Sequence, residues 1–132
     1  MQLLQENGNK VIYTHIDDGY DFFQYEPKNY DIIISNPPFS CKDKVLERCY
    51  KLGKPFMMLL PANAIQGKFR VDLFLKFGLE LLIYDLRIDY HTNGNMEYTT
   101  KGCHFGSSYY CKGVSPEKLV FKKLQKYEKS LL

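Results

Sequence analysis

Residues 30–39 read YDIIISNPPF, and this stretch decides the fold of the chain. Three consecutive isoleucines make its centre β-branched and apolar on both faces, which is the pattern of a central parallel strand covered by helices. Pro37 and Pro38 follow almost at once and end the strand, because proline fixes its own backbone angle and has no N–H to donate. The stretch therefore predicts a buried strand that leads into a rigid turn.

Strand and helix patterns alternate on both sides of this stretch. The apolar patterns predict strands over residues 11–16, 56–60, 79–86 and 105–111. They predict helices over residues 42–52 and 69–77, each followed by a glycine that ends it. This alternation is typical of an α/β doubly wound sheet with helices on both faces, folded as a single domain over residues 1–132.

The last third of the chain adds a predicted loop and a predicted helix. Residues 91–101 are polar and rich in Asn, Gly and Thr, which indicates a long loop. Ser115 and Pro116 suit the first positions of a C-terminal helix. Its apolar stripe would be Val120, Phe121, Leu124 and Leu131. Lysines on its other face, and those over residues 42–54, could approach phosphates, with a plain solvated face as the alternative.

The composition excludes several classes of protein. Hydrophobic residues make up 45% and charged residues 25% of the 132-residue chain, a globular rather than a disordered balance. No apolar run is long enough to span a membrane and the amino terminus has no signal-peptide pattern, so we expect a cytoplasmic protein without a membrane partner. The net charge of +3 is compatible with a nucleic-acid partner but does not require one.

The cysteines do not predict a metal site. Cys41, Cys49, Cys103 and Cys111 form no C-x-x-C pair, and His104 beside Cys103 supplies two ligands without a third. We therefore expect reduced thiols and no bound metal.

Residues 36–39 have the chemistry of a pocket for an amine. The two prolines make a rigid turn, and its carbonyl groups stay available as acceptors. The side-chain oxygen of Asn36 and the carbonyl of Pro37 could accept both hydrogens of an exocyclic amine, which would turn its lone pair toward an electrophilic methyl group. Phe39 offers a ring for a flat base that has flipped out of a duplex. The plain alternative is a loop that merely starts after a strand.

With the strand before it, this tetrapeptide resembles the D/N-P-P-Y/F motif of the N6-adenine DNA methyltransferases that use S-adenosylmethionine, especially the short forms of phages and prophages. The resemblance implies a Rossmann-like methyltransferase sheet whose last strand, matched by residues 105–111, is antiparallel. It also implies that Asn36 and Pro37, with Pro38 completing the motif, bind the target amine. Phe39 would stack on the flipped base of DNA, with RNA as the alternative substrate.

The resemblance assigns the S-adenosylmethionine cofactor to residues near the start of the chain. His15 occupies the position at which the family holds an acidic residue against the ribose. Asp21 and Phe22 match a pair that contacts the adenine of the cofactor, with a solvated loop acid as the alternative for Asp21. No Gly-rich turn precedes residue 11, so we expect a sheet that is incomplete at its amino-terminal first strand.

Two functions follow from this resemblance. The first is an enzyme that transfers a methyl group from S-adenosylmethionine to the exocyclic amine of adenine. The second is an inactive, phage-encoded methyltransferase relic that binds nucleic acid or inhibits a host restriction or CRISPR effector. Because the family's first strand is central, its absence implies one of three things: a fragment, a sheet that closes differently, or a second copy or another protein that covers the exposed strand edge.

Overall fold

The computed structural model describes residues 5–12, 21–88, 90–91, 99–100 and 106–124. The chain consists of two compact units, Met1–Asp31 and Ile32–Leu132. In the first unit, a short helical turn at Gln5 and Glu6 ends where the Gly8 N–H donates to the Gln5 carbonyl at 3.0 Å. A second turn follows Asp21, and residues 11–12 are not part of a strand. The remainder of the strand predicted over residues 11–16 lies outside the described residues.

The second unit is built on a mixed five-stranded sheet. Its strands are β1 (Ile33–Ser35), β2 (Phe56–Pro61), β3 (Glu80–Tyr84), β6 (Ser107–Lys112) and β7 (Leu119–Lys122). Two short strands, β4 (Tyr90–His91) and β5 (Thr99–Thr100), pair with each other in a separate antiparallel ladder. This pair corrects the loop predicted over residues 91–101, because residues near both of its ends form strands.

The sheet has the order β1-β2-β6-β3-β7. β1 runs parallel to β2 and β3 runs parallel to β7, whereas β6 lies between β2 and β3 and is antiparallel to both. The α/β class is therefore confirmed, as is an antiparallel strand near residues 105–111. That strand is not the last one, since β7 follows it along the chain.

Both described helices lie on one face of this sheet. Tyr50 of α1 (Lys42–Leu52) packs edge-on against Phe56 of β2, at 5.1 Å between ring centroids. Phe74 of α2 (Lys68–Phe77) packs against Tyr110 of β6, at 6.2 Å. Tyr110 is the cross-strand partner of Met58, two residues after Phe56, so all these contacts are on the same face. We call it the helix face.

The predicted cover of helices on both faces is therefore not found among the described residues. The crossovers from β1 to β2 and from β2 to β3 run in the same direction across the sheet, and crossovers between parallel strands are right-handed. Both helices must then fall on the same side. The core between them and the sheet contains six fully buried side chains: Leu46, Cys49, Phe56, Met58, Leu60 and Tyr110.

The predicted C-terminal helix is wrong in its described part. Residues 119–122 form β7, because the open edge of β3 lies beside them: the Leu81 N–H donates to the Lys118 carbonyl at 2.7 Å and the Asp85 N–H to the Lys122 carbonyl at 3.1 Å. Val120 and Phe121 are residue types that suit a strand. Leu131, the last residue of the predicted stripe, lies outside the described residues. None of the helices that the structure describes has the length and apolarity needed to cross a membrane.

Candidate functional site

The candidate site is the loop at the carboxyl end of β1. Pro38 has extended backbone angles, φ −56° and ψ 134°, and starts a short 3-10 turn over Phe39–Cys41. α1 begins directly after that turn, at Lys42. The two prolines thus separate a strand from a helix within a few residues, as the sequence predicts. The central, buried position predicted for that strand is wrong among the described residues, because β1 lies at an edge of the sheet and Ile34 is 47% exposed.

The second half of the loop is bonded to itself. The Pro38 carbonyl accepts the Cys41 N–H and lies 3.3 Å from both the Cys41 nitrogen and its Sγ. The Phe39 carbonyl accepts a hydrogen bond from the Lys42 ammonium at 3.4 Å. These two carbonyl groups are consequently used within the loop.

The first half of the loop differs in this respect. The Asn36 side chain is exposed, and within the part of the chain that the structure describes it makes no hydrogen bond. The Pro37 carbonyl likewise has no partner among these residues, although Pro37 itself is buried. Phe39 is half-buried, so part of its ring faces outward. The predicted site residues are therefore adjacent, with the Asn36 amide as their exposed polar group.

The adjacent parallel strand, β2, ends in a contrasting loop. The hydroxyl of the buried Tyr110 donates to the carbonyls of Pro61 and Ala62, at 2.9 Å and 3.0 Å, and the Ala62 N–H donates to the Gly106 carbonyl at 2.8 Å. Burial raises the pKa of Tyr110 to about 12, so its hydroxyl stays protonated and remains a donor. The carbonyls of Pro61 and Ala62 and the Ala62 N–H are thus satisfied within the protein.

Arg70 joins this second loop to the start of α1. Its guanidinium donates to the Ala64 carbonyl at 2.7 Å, to the Gln66 carbonyl at 2.9 Å and to the Asp43 carboxylate at 2.6 Å. Asp43 is the second residue of α1, so Arg70 fixes the helix into which the candidate loop leads. A positioning role of this kind has no local sequence signal, because its partners are mainly backbone carbonyls.

Glu80 is a second buried anchor that the sequence does not reveal. Its carboxylate accepts three successive backbone N–H groups, from Gly113, Val114 and Ser115, at 2.7–2.8 Å. Burial raises the pKa of Glu80, but these donors and the Lys112 charge outweigh that effect and leave the pKa below its ordinary value. Ser115, predicted as a helix cap, therefore belongs to the turn that fastens β6 to β7.

Two of the three residues expected to hold the cofactor, Asp21 and Phe22, are described by the structure. One Asp21 carboxylate oxygen accepts the Phe23 N–H at 3.0 Å, and the Asp21 carbonyl accepts the N–H groups of Gln24 and Tyr25. Phe22 packs edge-on against Phe23 at 5.6 Å. Asp21 thus builds its own turn, and the assignment of Asp21 and Phe22 to the cofactor stays a prediction. His15 lies outside the described residues.

Among the described residues, neither a cluster of metal-ligating side chains nor the one described cavity lies at the candidate site. No cluster of three or more metal-ligating side chains occurs in the described ranges. A shallow cavity of about 260 Å³ is lined by residues such as Tyr50, Phe77 and Lys112, but it lies at the opposite end of β2 from the candidate loop. The described cavity is therefore not part of the candidate site.

The structure describes only some of the lysines that were expected to approach phosphates. Lys51 pairs with Glu47 at 3.2 Å on α1, which offsets its charge. Lys118 precedes β7 and Lys122 ends it, so these two lie at an edge strand and not on the predicted C-terminal helix. Lys126 and Lys129 lie outside the described residues.

Comparison with known proteins leaves the family open. No protein-family model, no curated protein and no solved structure matches the chain.

Proposed function

We propose that this chain is an N6-adenine methyltransferase-like protein that receives the exocyclic amine of an unstacked adenine at residues 36–39. The observation that carries the proposal is the exposed Asn36 amide at the carboxyl end of β1, which has no hydrogen bond to the described residues. Ligands of α/β sheets bind beyond the carboxyl ends of their strands. The order of the matched strands also supports it, since β1, β2 and β3 point the same way and β6 is antiparallel to its neighbours.

The chemistry of recognition follows from the loop. Asn36 is exposed and Pro37 is buried, so the side-chain oxygen of Asn36 is the first acceptor that an entering amine meets. The Pro37 carbonyl would be the second acceptor, and the half-buried Phe39 would provide the stacking surface. A stacked base contributes roughly 1–3 kcal/mol of binding free energy. Two acceptors and one aromatic ring select a flat ring with an exocyclic amine and need no strong base.

Binding of the methyl donor would need residues other than those of the 36–39 loop. The resemblance implies S-adenosylmethionine, which would supply an electrophilic methyl group when bound. His15 lies outside the described residues, and one Asp21 carboxylate oxygen already accepts the Phe23 N–H at 3.0 Å, so the described residues give no complete site for that cofactor. We therefore assign these residues the recognition of the base and no step of methyl transfer.

The engagement of Asp21 favours a second candidate function. In this alternative, the chain is a methyltransferase relic that binds DNA, or RNA, without modifying it, or that inhibits a nucleic-acid enzyme of a host defence system. Base recognition at Asn36 would persist in either function. The two functions differ in cofactor binding and in the appearance of a methylated product.

Two measurements on the full chain test the proposal. In the first, single-stranded oligonucleotides that carry one adenine or one purine without an exocyclic amine are compared by fluorescence anisotropy. We expect about tenfold tighter binding of adenine, the equivalent of one net hydrogen bond of about 1.4 kcal/mol. Equal affinities for the two oligonucleotides would overturn the assignment of the loop.

The second measurement separates the two candidate functions. Calorimetric titration with S-adenosylmethionine is combined with mass spectrometry of the oligonucleotide after incubation. Heat of binding and a methylated adenine would establish the enzyme. No heat at millimolar cofactor, together with retained adenine preference, would establish the binding protein.

A further inference from the structure

The outer edge of β7 has a regular pattern of unused backbone groups. The carbonyls of Lys118 and Lys122 accept hydrogen bonds from β3, at 2.7 Å and 3.1 Å. Alternate residues of a strand point their backbone groups to opposite sides, so the N–H and C=O groups of Leu119 and Phe121 point away from β3. Neither residue makes a hydrogen bond to any described part of the chain. The edge thus offers two donors and two acceptors.

The side chains of the same two residues are apolar and exposed. Leu119 is 51% exposed and Phe121 is 70% exposed, and their register against Leu81 and Ile83 puts them on the helix face. Their exposure contrasts with the fully buried Phe56 on that face. A strand edge with free donors and two exposed apolar side chains is a template for another strand.

We propose that β7 pairs with β7 of a second copy of this chain, antiparallel and across a two-fold axis at Val120. Leu119 and Phe121 lie symmetrically about Val120, so this register places each of them opposite the other residue type of the partner subunit. Every outward N–H then meets an outward C=O, as in the hydrogen-bonded pairs of an antiparallel ladder. The strand therefore complements itself, which is the requirement of a closed two-fold interface.

The pairing also gathers the exposed apolar side chains. Directly opposed residues of an antiparallel pair project to the same face. Leu119 and Phe121 of one copy therefore meet Phe121 and Leu119 of the partner subunit on a helix face that continues across the axis. The five-stranded sheets join into one continuous sheet. β1, at the other edge of each sheet, stays free, so this inference does not depend on the proposed function.

The charges beside β7 set the strength of the dimer. In this register Lys118 faces Lys122 of the partner subunit, and like charges directly opposite each other weaken strand pairing. The paired strand has only four residues, and small interfaces form weak complexes. Because salt screens exposed charges, the dimer tightens as the salt concentration rises.

Sedimentation equilibrium of the full chain, from about 5 to about 500 μM, tests the proposal in low and high salt. The weight-average mass is expected to rise from 15.5 kDa toward twice that value, at lower protein concentration in higher salt. Phe121→Ser weakens the dimer by at least about tenfold, as expected when a central aromatic anchor is removed. Phe69→Ser is the matched control, because Phe69 is 44% exposed on α2, and it leaves the dimer unchanged.

Two further variants test the register itself. Lys118→Glu replaces the repulsion by a pair with Lys122 of the partner subunit and lowers the dissociation constant. Phe121→Pro removes an N–H that no described residue accepts; it abolishes pairing while circular dichroism reports an intact fold. A chain that stays monomeric throughout overturns the proposal. A dimer that persists in Phe121→Pro, or that Lys118→Glu weakens, overturns it as well.

Discussion

The loops that follow β1 and β2 start at the carboxyl ends of two adjacent parallel strands, at the same end of the sheet. Both loops begin with proline-containing turns. After β2, the carbonyls of Pro61 and Ala62 are occupied by the Tyr110 hydroxyl. After β1, the Asn36 amide has no partner among the described residues. Buried polar groups of a protein are nearly always hydrogen-bonded, so the bonded carbonyls after β2 indicate a structural role for that loop. The Asn36 amide is exposed on a rigid turn, and we propose it as the group that a ligand meets.

The largest expected loss of stability comes from replacing Arg70, which donates to the carbonyls of the loop after β2. Arg70→Ala removes three hydrogen bonds, including one to the Asp43 carboxylate, from a side chain that is only 13% exposed. The free energy of unfolding should fall by about 2–4 kcal/mol, since bonds from a charged group are the strong ones. Urea denaturation measures this loss.

A matched control exists on the same helix. Lys68 makes an exposed pair with Asp72, at 3.1 Å and one helical turn away. Lys68→Ala should lower the free energy of unfolding by no more than about 0.5 kcal/mol. Equal losses in the two variants would show that Arg70 does not organise the loop.

The next effect concerns Glu80 and depends on pH. Glu80→Gln keeps one acceptor oxygen but loses the charge that attracts three backbone N–H groups, so the free energy of unfolding at neutral pH should fall by about 2 kcal/mol. The folded-state pKa lies below the ordinary value of 4.5, so the native protein carries this stability above pH 4.5. It is lost as the pH falls through the lowered pKa.

The difference in the free energy of unfolding between the native chain and Glu80→Gln should therefore become smaller as the pH falls. Chemical denaturation from neutral pH down to about pH 3 measures it, since the unfolded carboxyl takes up its proton over that range. A difference that widens as the pH falls would contradict the assigned direction of the pKa shift.

A smaller effect is expected at Tyr110. Tyr110→Phe keeps the packed ring but removes the hydroxyl from the carbonyls of Pro61 and Ala62, so the free energy of unfolding should fall by about 1–2 kcal/mol. Tyr84→Phe is the control, because the Tyr84 hydroxyl makes no hydrogen bond within the described ranges. If both variants unfold at the same urea concentration, the loop after β2 does not need its hydroxyl bond.

The smallest effect on stability is expected at Asn36. Asn36→Ala should change the free energy of unfolding by less than about 0.5 kcal/mol, because the side chain is exposed and unbonded. Thermal unfolding followed by circular dichroism measures the change. A loss above about 1 kcal/mol would reveal a structural role for this side chain and would remove the contrast between the two loops.

Much of the second unit could be predicted from the sequence, because its local signals agree with its packing. α1 spans Lys42–Leu52 as predicted, since Val45, Leu46 and Cys49 lie on its buried side and Gly53 ends it at φ 72°. β2 and β6 follow their apolar patterns to within about two residues of the predicted bounds, the usual uncertainty of element ends. Short-range patterns suffice where the apolar residues of an element are the ones that the fold buries.

The errors arise where a distant strand decides the local structure. Ser115 and Pro116 favour a helix start, but the carboxylate of Glu80 holds this turn and the open edge of β3 pairs with the residues after it. The helix signal at Ser115 is local, whereas the Glu80 carboxylate that holds the turn instead lies 35 residues earlier in the chain. The residues of the candidate site are adjacent in sequence and needed no folding to be grouped, but the unsatisfied state of Asn36 could be seen only in three dimensions.

The most direct test of the contrast between the two loops compares Asn36→Ala with Asn63→Ala. Asn63 is an exposed asparagine in the turn after β2, so the two variants remove the same group from the two strand ends. Anisotropy titration with an adenine-containing single-stranded oligonucleotide should show about tenfold weaker binding for Asn36→Ala, the loss of about 1.4 kcal/mol, and native binding for Asn63→Ala. Equal affinities of both variants and the native chain would contradict the assignment of residues 36–39 as a base-binding loop.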